Sequence, residues 1–218
     1  MKQQSIPHAA VQVTVDIVVF TVHEHRLKVL LIQRGIPPFK GQYALPGGFV
    51  LANETLDAAA LRELSEETGT ENAYLEQLYT FGDPKRDPRG RVVTVAYYAL
   101  VPAGQSPLLA GTDAASASWF PVEALPALAF DHGEIIEYAV NRLRNKLDYT
   151  NVGFELLPKK FSLSTLQSLH ESILGKSLDK RNFRRKILST GLLTASREME
   201  VTGRKPARLY AFRSADWA

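Results

Sequence analysis

Between Gly48 and Gly69 the chain reads G-x5-E-x7-R-E-L-x-E-E-x-G, with Glu54, Arg62, Glu63, Glu66 and Glu67 at fixed offsets. The spacing predicts a helix over 55–68 that carries Glu63, Glu66 and Glu67 on one face, because residues three and four apart are surface neighbours. Like charges so placed weaken an isolated helix by roughly 0.2 to 0.5 kcal/mol per pair, so the cluster makes most sense as a seat for a divalent cation. Mg2+ is the natural guest, since a hard cation takes carboxylate oxygens and shares its other positions with water and phosphate. Glu63, Glu66 and Glu67 are therefore the candidate metal ligands, and Arg62 is the residue expected to orient them. A solvated acidic face is the blander reading of such a helix. Against it stand Gly48, Glu54, Arg62 and Gly69, which all fall in register with the carboxylates.

The flanking residues supply what this helix needs. Thr55 is placed to cap its start and Gly69 to close it in a left-handed conformation, while Leu56, Ala60 and Leu64 form an apolar stripe for burial against a sheet. Strands are expected over 11–22, 27–34, 73–81, 92–101 and 117–120, with a polar loop at 82–91. A second helix is expected from Asp131, whose carboxylate would cap it while Glu134 reaches back. Ile135, Ile136, Ala139, Val140, Leu143 and Leu147 give it a buried stripe, and His132 falls at its start.

The 218 residues suit one large or two small domains, at 45% hydrophobic and 22% charged. There is no cysteine, which rules out disulfides and thiolate metal sites and fits a cytoplasmic location. The first apolar run, over 11–22, contains Asp16 and is too short to span a bilayer, so no membrane partner is expected. Charge is uneven: residues 1–158 carry 13 Lys and Arg against 18 Asp and Glu, whereas residues 159–218 carry 13 against 5. A net −5 followed by a net +8 points to an anionic partner for the last quarter, nucleic acid before membrane.

That last quarter reads as a helix-turn-helix. Ser164 with Gln167 is expected to form a capping box, and Leu166, Leu169 and Ile173 repeat helically up to Gly175. Asp179 would cap the next helix, stapled by Leu178 and Phe183 and ended at Gly191. A hairpin over 197–202 and 208–212 would form a wing. The second helix offers Lys180, Arg181, Asn182, Arg184, Arg185 and Lys186, and the wing offers Arg204, Lys205 and Arg208. Arginine can pair with guanine and asparagine with adenine in a major groove, while the remaining cations hold phosphates. A domain boundary near residue 150 follows, with 148–160 as connector.

The Gly48 to Gly69 pattern resembles the Nudix box, departing only at the final aliphatic position, where this chain has Thr70. A Nudix-like half followed by a basic winged helix resembles the Nudix-related transcriptional regulators over nearly the whole chain. Similar stretches include 75–84, Arg86-Asp87-Pro88-Arg89-Gly90-Arg91, Ala129-Phe130-Asp131-His132 and 178–186. The resemblance implies an α/β/α Nudix sandwich joined to a winged helix-turn-helix. It also implies a homodimer on a palindromic double-stranded DNA operator near genes of NAD-related metabolism, acting as a repressor with ADP-ribose as effector. Candidate ligand contacts are Arg34 and Lys40 for phosphates, Phe39 and Phe49 for base or ribose, Gly47 and Gly48 in the preceding loop, and Arg89 or Arg91. The alternative is an ADP-ribose pyrophosphatase that uses Mg2+ on Glu63, Glu66 and Glu67 to release AMP and ribose 5-phosphate. For that reaction no base outside the box is identified.

Overall fold

The structure is a computed structural model, described here for residues 10–69, 73–103, 117–147, 150–201 and 206–213. Strand β1 (Gln12–His23) is its organising element, with an uninterrupted run of buried residues from Thr14 to Thr21. It is buried on both faces because it runs antiparallel to β2 (Arg26–Gln33) and β4 (Gly47–Phe49) and parallel to β6 (Val92–Leu100) inside a seven-stranded sheet. Strand β3 (Tyr43–Ala44) and β7 (Ala117–Pro121) extend the β2 side, and β5 (Tyr74–Phe81) forms the far edge against β6.

Alternation along a strand sends neighbours to opposite faces. Val15, Ile17 and Val19 share one apolar cluster with Ala59, Ala60 and Leu64 of α1 (Leu56–Thr68). Val18 and Phe20 share the other with Ile135, Ile136, Ala139 and Leu143 of α2 (His132–Lys146). The three layers are the expected sandwich. Thr55 caps α1 by accepting from the Ala58 N–H, and Gly69 ends it at φ 66°. The expected box at Asp131 is not formed: its side chain makes no cap hydrogen bond and takes a guanidinium instead.

The C-terminal residues build β8 (Phe161–Ser162), α3 (Leu163–Leu174), α4 (Lys180–Ser189), β9 (Leu193–Glu200) and β10 (Ala207–Phe212), with the strands in the order β8-β10-β9. Ser162, not Ser164, caps α3 by accepting from the Thr165 N–H, because β8 delivers Ser162 in an extended conformation directly to the first turn. Strand β9 begins at Leu193, four residues before the expected start, since its pairing with β10 reaches Phe212. The expected wing tip, including Arg204 and Lys205, lies at 202–205, outside the described residues.

The expected connector is more than a tether. Val152–Leu156 forms a 3-10 helix that buries Val152 and Leu156, and Phe154 stacks on Phe212 at 4.5 Å. Leu143, Leu156, Phe161, Leu166 and Ile173 consequently belong to one apolar cluster that runs from the sandwich into the winged helix. No helix among the described residues is long and apolar enough to cross a membrane. Leu166 is fully buried in the shared cluster, so Leu166→Ala should cost about 2 to 5 kcal/mol. Urea denaturation followed by circular dichroism should show one cooperative transition at a lower midpoint. A separate early transition confined to the C-terminal residues would contradict the shared core.

Candidate functional site

A cleft of about 620 Å³ opens where β1, β4, α1 and the 82–91 loop meet. Two glycines let these elements close on one another. A Cβ at Gly47 would lie 2.2 Å from the Val15 carbonyl oxygen, and one at Gly48 would lie 2.2 Å from Glu63 Oε1. The Gly47 N–H donates to Glu67 Oε2 at 3.2 Å, which turns that carboxylate into the cleft. Burial, reinforced by the charge on Glu63, pushes the Glu67 carboxyl up to about 7, while the Gly47 N–H pulls the other way.

Arg62 organises the other carboxylates. Its Nη2 lies 2.7 Å from Glu54 Oε1, and its Nη1 lies 2.6 Å from Glu63 and 3.5 Å from Glu66. The hydrogen bonds to Glu54 and then Glu63 raise the guanidinium above its ordinary value. Glu63 is buried and Glu66 is exposed at the rim. Among the described residues, no three carboxylate or imidazole groups converge as a ready ligand set. The donor chemistry nevertheless fits a hard cation: Glu67 is a carboxyl whose charge is disfavoured by burial and like-charged neighbours. A divalent ion there would reverse both penalties.

The opposite wall is cationic and aromatic. Arg34 lies 4.8 Å from the Phe130 ring centroid, and Arg89 lies 5.1 Å from Phe49 and 5.6 Å from Phe130. Burial, then the charge on Arg89, holds the Arg34 guanidinium below its usual value. Asp87 steadies Arg89 through Nε–Oδ1 and Nη2–Oδ2 contacts of 3.0 and 2.7 Å. Phe39 sits behind this wall, edge-on to Phe130 at 4.9 Å. Of the sequence candidates, Phe39, Lys40, Arg62, Glu63 and Arg91 do not line the cleft. Lys40 is exposed on the loop before β3, and Arg91 turns to donate to the Gly82 carbonyl at 2.8 Å.

Sequence reasoning passed over the floor. Buried Arg86 bridges Asp16 at 3.1 Å and Asp131 at 2.7 Å. His132 Nδ1 accepts the Leu45 N–H at 2.8 Å, so its proton sits on Nε2, 3.5 Å from Asp16 Oδ1. Burial lowers the pKa of this imidazole, with Asp16 opposing. The available signal was Asp16 itself, a charged residue inside an apolar strand. A larger polar cavity, about 1010 Å³, lies between α2, α3 and the β1–β2 turn and contains none of the box residues.

On the C-terminal half, α4 exposes Lys180, Arg181, Asn182, Arg185 and Lys186. Asp179 caps it through the Asn182 N–H at 2.8 Å, and Phe183 packs edge-on to His170 of α3. Arg184 departs from the expected exposed set: it is half-buried, with Nη2 3.3 Å from Ser164 Oγ on α3. Asn182 Oδ1 accepts from Arg185 at 2.9 Å. Arg208 is exposed on β10, opposite Met199. The result is a short helix with a cationic outer face, of a size a major groove admits.

Comparison with known proteins places both halves. A NUDIX domain model matches residues 10–139, and an NrtR DNA-binding winged helix domain model matches residues 153–212. The ADPR responsive transcriptional repressor NtrR of Acinetobacter baylyi is 41% identical over 210 residues, 94% of this chain and 83% of that protein. The crystal structure of Shewanella oneidensis NrtR complexed with a 27mer DNA superimposes with a TM-score of 0.83 at 39% identity, covering 92% of this chain and 93% of that one. The NUDIX domain of the same Shewanella protein, cocrystallised with ADP ribose, matches with a TM-score of 0.55 at 43% identity over 62% of this chain and 90% of that one. With the cleft at one end and the cationic helix at the other, this chain belongs to the NrtR family, a NUDIX domain followed by an NrtR-type winged helix.

Proposed function

We propose that this chain is a cytoplasmic transcriptional repressor of NAD-related metabolism that senses ADP-ribose. It binds a palindromic operator as a homodimer joined through its Nudix domains, with the boundary between its halves near residue 150. The observation that carries this reading is the exposed cationic face of α4 on a chain whose other half holds a nucleotide-sized cleft. Paired half-sites about one helical turn apart match a twofold axis, which is why a helix-turn-helix protein of this size acts as a dimer.

In the cleft, the pyrophosphate of ADP-ribose is assigned to the space between Arg34 and Arg89 on one side and the box carboxylates on the other. Glu63 and Glu67, with Glu66 at the rim, would hold Mg2+, which supplies neutralisation of the diphosphate charge. Phe49 and Phe130 offer ring faces to the base or ribose. On α4, Arg181 and Arg185 are the base-reading arginines, while Lys180, Lys186 and Arg208 contact phosphates. Arg184, tied to Ser164, is a backbone-positioning residue.

ADP-ribose hydrolysis is the second reading, favoured by the whole carboxylate set of the box. The carboxylates of the cleft outside the box are each engaged by arginine, Asp16 and Asp131 by Arg86 and Asp87 by Arg89. Among the described residues, each carboxylate at the cleft outside the box is therefore paired, which supports sensing over turnover. A mobility shift on the DNA upstream of the chain's own gene, with and without ADP-ribose and with AMP release followed in parallel, tests both. Loss of the shifted band without AMP supports the sensor; AMP release with no specific DNA complex supports the hydrolase.

Three measurements check the residues. Arg34→Ala and Arg89→Ala should each weaken ADP-ribose binding by calorimetry roughly 10- to 150-fold, the range for losing a charged hydrogen bond of about 1.5 to 3 kcal/mol. Because Glu67 releases its proton near pH 7, Mg2+ affinity should rise from pH 6 to pH 8 with proton release, and Glu67→Gln should flatten that rise. Lys180→Ala should reduce the slope of log affinity against log salt by about one and weaken all sequences alike, whereas Arg185→Ala should relax sequence preference.

A further inference from the structure

Helix α2 touches both candidate sites. Its N-terminal end forms part of the cleft floor: Asp131 receives Arg86 Nε at 2.9 Å and Nη2 at 2.7 Å, and the ring of His132 accepts the Leu45 N–H. Its C-terminal end grips the DNA-binding half. Arg144 Nε donates to the Ile173 carbonyl at 2.8 Å, next to the last residue of α3. The whole helix is 15 residues long, about 22 Å of rod. Ile135, Ile136, Ala139 and Leu143 are all buried along it, so it cannot bend locally without opening the core and shifts most readily as a unit.

The next links are equally fixed. After α3, the left-handed Gly175 turns the chain, and the backbone of Leu178 is held at both its polar groups. Glu171 Oε1 takes the Leu178 N–H at 2.8 Å, and Gln167 Nε2 donates to the Leu178 carbonyl at 3.0 Å. The following residue, Asp179, caps α4. Hydrogen bonds to backbone atoms thus lie at Ile173, Leu178 and Asn182 along the path from Arg144 to the first turn of the cationic helix.

We propose that Arg144 is the positioning residue that couples the cleft to the DNA-binding helix: a diphosphate bound over Arg86 alters the Arg86–Asp131 pair, α2 shifts as a rod, and the Arg144–Ile173 hydrogen bond carries that shift to α3 and α4. This inference rests on the ADP-ribose sensing reading above. Occupancy of the cleft changes DNA affinity only by its differential preference for two positions of α2. The coupling is a ratio of affinities and is the same whichever ligand is varied.

A purely structural Arg144 would cap the end of α3 and affect folding but leave that ratio intact, which is what the test reads. The full chain and its Arg144→Ala variant are titrated with ADP-ribose in the presence and absence of a duplex selected from random sequence, and with the duplex in the presence and absence of ADP-ribose. The wild-type chain should show a coupling of about 5- to 150-fold, equal in both directions. The variant should bind each ligand alone within about threefold of wild type while its coupling falls below about twofold. If Arg144→Ala does not fold, Glu171→Ala breaks the later link at Leu178 and is expected to lower the coupling in the same way. A folded Arg144→Ala or Glu171→Ala chain with wild-type coupling overturns the inference and leaves the sensing reading standing. A wild-type chain that binds both ligands with no coupling overturns both.

Discussion

Asp16 is a carboxylate inside the buried run from Thr14 to Thr21 of the central strand, and the arrangement around it depends on its being paired. Removing one partner of a buried ion pair costs about 3 to 5 kcal/mol, because the other charge is stranded. Arg86 supplies the pairing through Nη2 and also donates from Nε and Nη2 to Asp131. One guanidinium thereby ties the central strand, the 82–91 loop and the start of α2 into a single floor. The loop's Asp87 and Arg89 and the ring of Phe130 are placed over the cleft as a consequence.

The box helix poses the complementary electrostatic problem. Its glutamates repel one another, and the protein answers with one arginine and two glycines. Arg62 bridges Glu54, Glu63 and Glu66 from the side, while the absence of a Cβ at Gly48 lets backbone approach Glu63 and its absence at Gly47 lets β4 close on β1, from where the Gly47 N–H reaches Glu67. What is left over is Glu67, turned inward and short of counter-charge. A site with one under-compensated carboxyl facing two guanidiniums is suited to a metal-bound diphosphate, since each half of that ligand answers one wall.

The two halves are distinct in charge yet not independent in packing. Phe154 and Leu156 in the connector, and Leu166 and Ile173 in α3, lie in the same apolar cluster as α2. A basic domain on a loose tether would respond to events in the cleft only through dimer geometry. A winged helix sharing its core with α2 responds through contact, because close-packed side chains pass a displacement on.

Much of both halves was legible in the chain. The acidic helix with Thr55 and Gly69 at its ends, the turn at Gly175 and the cap at Asp179 depend on residues within one or two turns of each other, so spacing alone determines them. The cationic face of α4 is legible for the same reason, as is the asymmetry of charge. Tertiary structure alone decided the cleft floor, where Arg86 meets partners 45 and 70 residues away and His132 meets Leu45 across 87. It also moved Lys40 and Arg91 out of the cleft, gave the α3 cap to Ser162, and turned Arg184 toward Ser164. Such partners are selected by the order of strands in the sheet and the seating of helices on it, and no local pattern of residues encodes which side chains that order will bring together.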